Sequence, residues 1–220
     1  MDYNHILRTT EYYVQNELAG DSSGHEWGHI QRVRGLALRI HNAEGGDRQI
    51  VELASLLHDI RDWKLNGGDI LAGPRVATEF LSGLEVQETM VSHVADIITN
   101  LSYKGACVAN TITTLEGKIV QDADRLDAMG AIGIARLFMY AGHRGICMHN
   151  PEVQPVMHET AEDYCREKWT GISHFYEKLL LLKDRMNTNT GRVIATERHT
   201  FVANYLQQFL KEWDYAMPQR

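Results

Sequence analysis

LASLLHDIRDW, residues 53–63, places an imidazole and a carboxylate, His58 and Asp59, directly after an apolar run. The run should be buried, and buried ionisable groups must be paired or hold a metal ion. Asp47 reads as the N-cap of a helix that ends at this pair. Upstream, Trp27, Ile30, Val33, Ala37 and Ile40 recur at three- and four-residue spacing, which predicts a helix over 25–44 that stops at Gly45-Gly46. Residues 5–18 predict another, ending at Gly20. Downstream, Asn66-Gly67-Gly68 reads as a loop, and Pro74 suits the first turn of a helix over 74–83. Val86, Met90, Val94 and Ile97 form the stripe of the next helix, and 102–114 is irregular. EGKIVQDADRLDAMGAIGIARLFMYAG, residues 116–142, predicts one long helix whose Ala and Gly content favours close packing. After a loop at 142–157, two helices are expected near 158–186 and 192–213, separated by NTNTG. There are no repeats and no convincing strand alternation. The class is all-α.

Composition agrees with a soluble domain. The chain has 220 residues, 44% hydrophobic and 23% charged, which fits a single domain over 1–220 with a packed core. The formal net charge of −7 argues against a large DNA, RNA or anionic-membrane surface while leaving room for a local basic pocket. Cys107, Cys147 and Cys165 lack CxxC spacing and suggest reduced thiols rather than a disulfide framework. No apolar segment reaches the roughly 18 residues of a membrane span. The N-terminus, MDYNHILRTTEYY, is too polar for a signal peptide, so the expected location is cytoplasmic. Homo-oligomerisation is left open.

Two further groups extend the His58-Asp59 pair: His29 in WGHIQRV and Asp124 in VQDADRLDA. Together they offer two nitrogens and two oxygens, a set suited to a divalent transition metal. The donor mix favours Mn²⁺, Fe²⁺, Co²⁺, Ni²⁺ or Zn²⁺ over Ca²⁺; Mn²⁺ ranks first, and Mg²⁺ is also admitted. For a His-Asp pair taken alone, a core imidazole bonded to a carboxylate would be the simpler reading.

The surrounding residues tip the balance. HIQRV at 29–33, LLHDIRDWK at 56–64 and DADRLDAMGAIGIAR at 122–136 resemble the HD-domain superfamily of metal-dependent phosphohydrolases. With EGK at 116–118 and EKLLLLKDRMNT at 177–188, the chain is similar to a narrower group, small bacterial HD hydrolases that include nucleoside triphosphate pyrophosphohydrolases. The resemblance spans roughly residues 25–212. It implies a helical bundle with its HD core at about 25–130 and C-terminal helices, about 157–213, packed over the site. It also implies His29, His58, Asp59 and Asp124 as the ligands. Asp124 is preferred because it stands in the Ala-Asp-Arg-Leu phrase, while Asp122 and Asp127 are expected to cap or salt-bridge locally.

Around these ligands, Asp62 sits three residues past Asp59 and is a candidate to hold the attacking water. Arg32, one turn past His29, and Lys64 are candidates for phosphate oxygens. For Arg32 the alternative is a salt bridge to a neighbouring helix. His93 stands alone, which favours one metal, and is a candidate substrate contact. His25 is expected to cap its helix, and the aromatic residues of the last helices, Phe201 among them, are expected in the core. Lys178 and Arg198, beside Tyr176, Leu179 and Phe201, are expected to turn inward and meet the distal phosphates. The expected reaction converts a nucleoside triphosphate to monophosphate and pyrophosphate. A 5′-nucleotidase or other phosphomonoesterase is the alternative, and a non-catalytic nucleotide sensor a further one. Cyclic-dinucleotide and oxygenase chemistry would need further His or Asp ligands.

Overall fold

The structure, a computed structural model, describes residues 2–20, 24–61, 67–166 and 169–216. Among them there are helices and turns but no strand. None of the described helices is long and apolar enough to cross a membrane.

Helices α1 (Tyr3–Glu17), α2 (Trp27–Glu44) and α3 (Arg48–Leu57) form the first layer. Asp47 caps α3, its Oδ1 accepting from the Gln49 and Ile50 amides at 2.8 and 3.3 Å. Eight of the ten α3 residues are buried. Its apolar run is enclosed on all sides, so the His58-Asp59 pair emerges inside the protein. One charge in α3 is also buried. Glu52 accepts from Arg34 of α2 at 2.8 Å and from the Tyr3 hydroxyl at 3.1 Å, tying three helices together.

Helices α4 (Ala72–Gly83) and α5 (Glu88–Leu101) pack as a pair, and α6 (Leu115–Asp127) lies across α2 and α3. One core joins α1 to α6 and is completed by Leu182, Met186, Ile194 and Ala195. A second joins α7 (Gly130–His143) to α10 (Asn189–Ala216) through Leu137, Phe175 and Val202.

The single helix expected over 116–142 is two. Gly130 has a φ of +72°, a left-handed conformation that costs glycine least, and it breaks the run after Asp127. Gly133 lets α7 close onto this joint: a Cβ there would lie 2.2 Å from the Ala128 carbonyl carbon. Gly133→Ala is therefore expected to destabilise the protein by about 1–3 kcal/mol or more through overpacking. Urea denaturation would show it as a lower midpoint with an unchanged slope.

The helix expected over 158–186 is also broken. A six-residue helix, α8 (Ala161–Arg166), is followed by α9 (Gly171–His174), a π-helical turn (Phe175–Leu179) and a 3-10 turn (Leu182–Arg185). Thr170 starts α9 with a reciprocal cap, its hydroxyl accepting from the Ser173 amide at 3.0 Å. The chain restarts at Asn189 because Asp122, fully buried on α6, binds the Asn187 and Thr188 amides and the Thr188 hydroxyl at 2.7–2.9 Å. Phe201, expected in the core, is 49% exposed on α10.

Candidate metal centre

His29, in the first turn of α2, is completely buried, and His58 follows the last turn of α3. Their Nε2 atoms face each other at 3.1 Å. Asp59 Oδ2 lies 3.2 Å from the first and 3.5 Å from the second. Asp124 Oδ1, on α6, lies 3.7 and 3.9 Å from them. His29, His58 and Asp59 each bring a ligand atom within 4.8 Å of the others.

The far nitrogens decide what this convergence means. His58 Nδ1 donates to the Ser55 carbonyl at 2.8 Å. His29 Nδ1 donates to Asp127 Oδ2 at 2.8 Å. Carbonyl and carboxylate oxygens only accept, so each Nδ1 carries its proton and each Nε2 of a neutral ring presents a lone pair. Two lone pairs and an Asp59 oxygen then converge with no donor among them, and Asp124 Oδ1 stands beside the two imidazoles. That arrangement is repulsive unless a cation occupies the spot, and the donor set fits a borderline divalent metal. Burial and Arg136 push His29 toward the neutral form, but Asp127 and Asp59 outweigh them and raise its pKa. Burial would raise the Asp59 carboxyl, yet the imidazoles of His58, His25 and His29 hold it well below the usual carboxylate range. Both shifts express the same pull for positive charge.

Asp127 was expected to act locally. Instead it is 1% exposed and reaches back to α2, where the His29 ring and Arg32 meet it; Arg32 Nε donates to Oδ1 at 2.9 Å and Nη2 to Oδ2 at 3.1 Å. Arg136 of α7 adds a contact at 3.2 Å. Burial opposes the charge, but the His29 and Arg32 bonds dominate and depress its pKa. A carboxylate behind a ligating histidine fixes the ring and raises its basicity. Asp122, too, works across the chain rather than locally, by binding residues 187 and 188.

Several other expectations change. Arg32, expected at a phosphate, bonds Asp127 and, at 3.3 Å, Glu26, the salt bridge that was its alternative. His93 Nε2 faces Glu116, 3.8 Å away at the start of α6. Eight residues separate Glu116 from Asp124, about 12 Å along the helix, which places His93 away from the centre. Arg198 donates to the Leu126 carbonyl at 2.5 Å and lies over Gly130, so it supports the α6–α7 joint. Lys178 Nζ stands 5.5 Å from the centre of the Tyr103 ring. Asp62 and Lys64 lie outside the described residues. His25 makes no cap: Glu26 precedes α2, and His25 Nε2 lies 3.9 Å from Asp59 Oδ2, with its ring edge-on to His29 and to Tyr140. It borders the centre. Its only sequence signal was its place one turn before His29.

The chain is similar to several known proteins. A family model for the HD domain matches residues 27–129. YpgQ of Bacillus subtilis is 39% identical over 201 residues, covering 91% of this chain and 90% of that protein. Its crystal structure in complex with ADP superposes with a TM-score of 0.73 at 37% identity, over 94% of this chain and 97% of that one. A Lactobacillus plantarum protein matches with a TM-score of 0.89 and 35% identity, over 98% and 100% of the two chains. An HD-superfamily hydrolase of Bacillus thuringiensis matches at 0.71 and 40%, again over 98% and 100%.

Proposed function

This chain belongs to the HD-domain superfamily of metal-dependent phosphohydrolases, and on that premise we propose that it is a nucleotide pyrophosphohydrolase, cleaving a nucleoside triphosphate to monophosphate and pyrophosphate. The observation that carries the reading is the convergence of His29, His58 and Asp59, with Asp124 beside the two imidazoles and both outer imidazole nitrogens already bonded. These four side chains are the proposed ligands of one divalent ion, Mn²⁺ first among the candidates. When bound, such an ion supplies Lewis-acid polarisation of a phosphoryl oxygen and acidifies a water molecule.

The remaining work falls to the protein. Ser55 and Asp127 orient the two imidazoles, and Arg32 and Arg136 hold Asp127 in its charged form. Asp62, three residues past Asp59, is the proposed acceptor of the proton of the attacking water. Lys64 is proposed to meet a phosphate oxygen, and Lys178 a more distal one. The ADP held by YpgQ, at 37% identity, supports a nucleotide as the substrate class here.

A nucleotide panel followed by phosphorus NMR in Mn²⁺ tests the reaction. The expected products from the best triphosphate are a nucleoside monophosphate and inorganic pyrophosphate. Release of orthophosphate alone, leaving a diphosphate, would refute the proposal. Orthophosphate from a monophosphate would point instead to a 5′-nucleotidase.

A further inference from the structure

Arg125 follows Asp124 by one residue, and the 100° step of an α-helix turns it away from the metal centre. It meets the 3-10 turn, where its Nη1 donates to the Arg185 carbonyl. The Arg185 guanidinium lies 5.4 Å from the centre of the Tyr103 ring and donates to the Ala106 carbonyl. Lys178 approaches the same ring. Cations therefore gather here in a chain that is acidic as a whole.

Among the described residues neither Arg125 nor Arg185 makes an ion pair, and their bonds run to backbone carbonyls. Arg125 is only 6% exposed, and its Nε has no hydrogen-bond partner. The nearest buried acid, Asp122, has both oxygens occupied by Asn187 and Thr188. Asp122 and Asp124 attract Arg125 only through space, burial outweighs them, and the Arg185 guanidinium adds repulsion. The two arginines open onto a cavity of about 400 Å³, also lined by Val108, Asn110 and Asn187. One acid, Asp184, stands on its rim, but its side chain is 80% exposed and lies 3.7 Å from Lys183.

We propose that this cavity, on the side of α6 that Arg125 faces, is an anion site for a phosphate-class ligand. Guanidinium forks match the oxygens of phosphate groups. The volume is more than ten times the roughly 30 Å³ of one water, so it admits pyrophosphate as well as orthophosphate. The ligand is a free anion or the phosphate tail of a nucleotide. The site does not rest on the proposed activity, because it uses none of the metal-centre residues.

Titration calorimetry of pyrophosphate, and separately of orthophosphate, into the metal-stripped full-length protein tests the site without coordination at the metal centre. The wild type is expected to bind one anion per chain. Arg185→Ala should weaken binding about tenfold or more. Val108→Asp removes no existing bond and sets a carboxylate in the wall, so it should do the same even if Arg185→Ala folds poorly. A rise in KM for the best triphosphate in Arg185→Ala, in step with the lost pyrophosphate affinity, identifies the ligand as the substrate's tail. An unchanged KM identifies a free anion. The site is overturned if the wild type binds neither anion, or if both variants bind like the wild type.

Discussion

Replacing His58 or Asp59 with alanine is expected to remove the bound divalent ion and nearly all hydrolysis. His58 is held from behind by the Ser55 carbonyl, and Asp59 packs against three imidazoles, so among the described residues neither has a neighbour placed to substitute for it. Loss of the ion removes several kcal/mol of charge stabilisation, about 10³-fold or more in rate. The fold itself should persist, because the convergent acceptors repel one another without a cation. Chelator should accordingly lower the Tm of the wild type and leave that of either variant nearly unchanged. Metal analysis that finds full occupancy in both variants would remove these residues from the ligand set.

Asp127→Asn should be nearly as damaging, although Asp127 is not a proposed ligand. The substitution removes a charge that answers His29, Arg32 and Arg136, and it turns an amide donor toward groups that already donate. Breaking a buried charge network from one side costs about 3–5 kcal/mol. Losing the carboxylate behind a ligating histidine costs about 10- to 100-fold in metal affinity. Urea unfolding and a metal titration measure the two effects separately. Equal metal affinity in wild type and variant would assign Asp127 to stability alone. The pH dependence follows from the depressed pKa of its carboxyl. Because the folded value lies below the unfolded one, near 3.9, the stability it contributes is complete above about pH 4. It is lost as pH falls through the folded value. Asp127→Asn should therefore flatten the acid limb of the stability curve.

Residues 53–63 already announced the kind of site this is, because a buried ionisable pair must have a charge partner whatever the fold around it. The helices α2, α3 and α5 were equally legible, since apolar spacing is a local property of the chain. The break between α6 and α7 was not. The apolar pattern runs on through Gly130, and the packing of Gly133 on Ala128, with Arg198 over Gly130, selects that glycine as the joint. The division of 158–186 has the same cause: the cap at Thr170 and the pull of Asp122 on residues 187 and 188 outweigh local helical preference.

The roles of the charged residues divide along the same line. His58 and Asp59 share a helix end, so their partnership is written in adjacent residues. Asp127 finds His29 across 98 positions, Arg32 finds Asp127 across 95, and Arg125 finds Arg185 across 60. No spacing rule spans such distances. The sequence by itself determined the helices α2, α3 and α5 and which side chains offer metal-ligand chemistry, because both depend on neighbours within a turn or two. Tertiary structure alone decided which acid orients His29, which arginine braces that acid and which is left facing a cavity, because charge–charge energy depends on separation and burial in space.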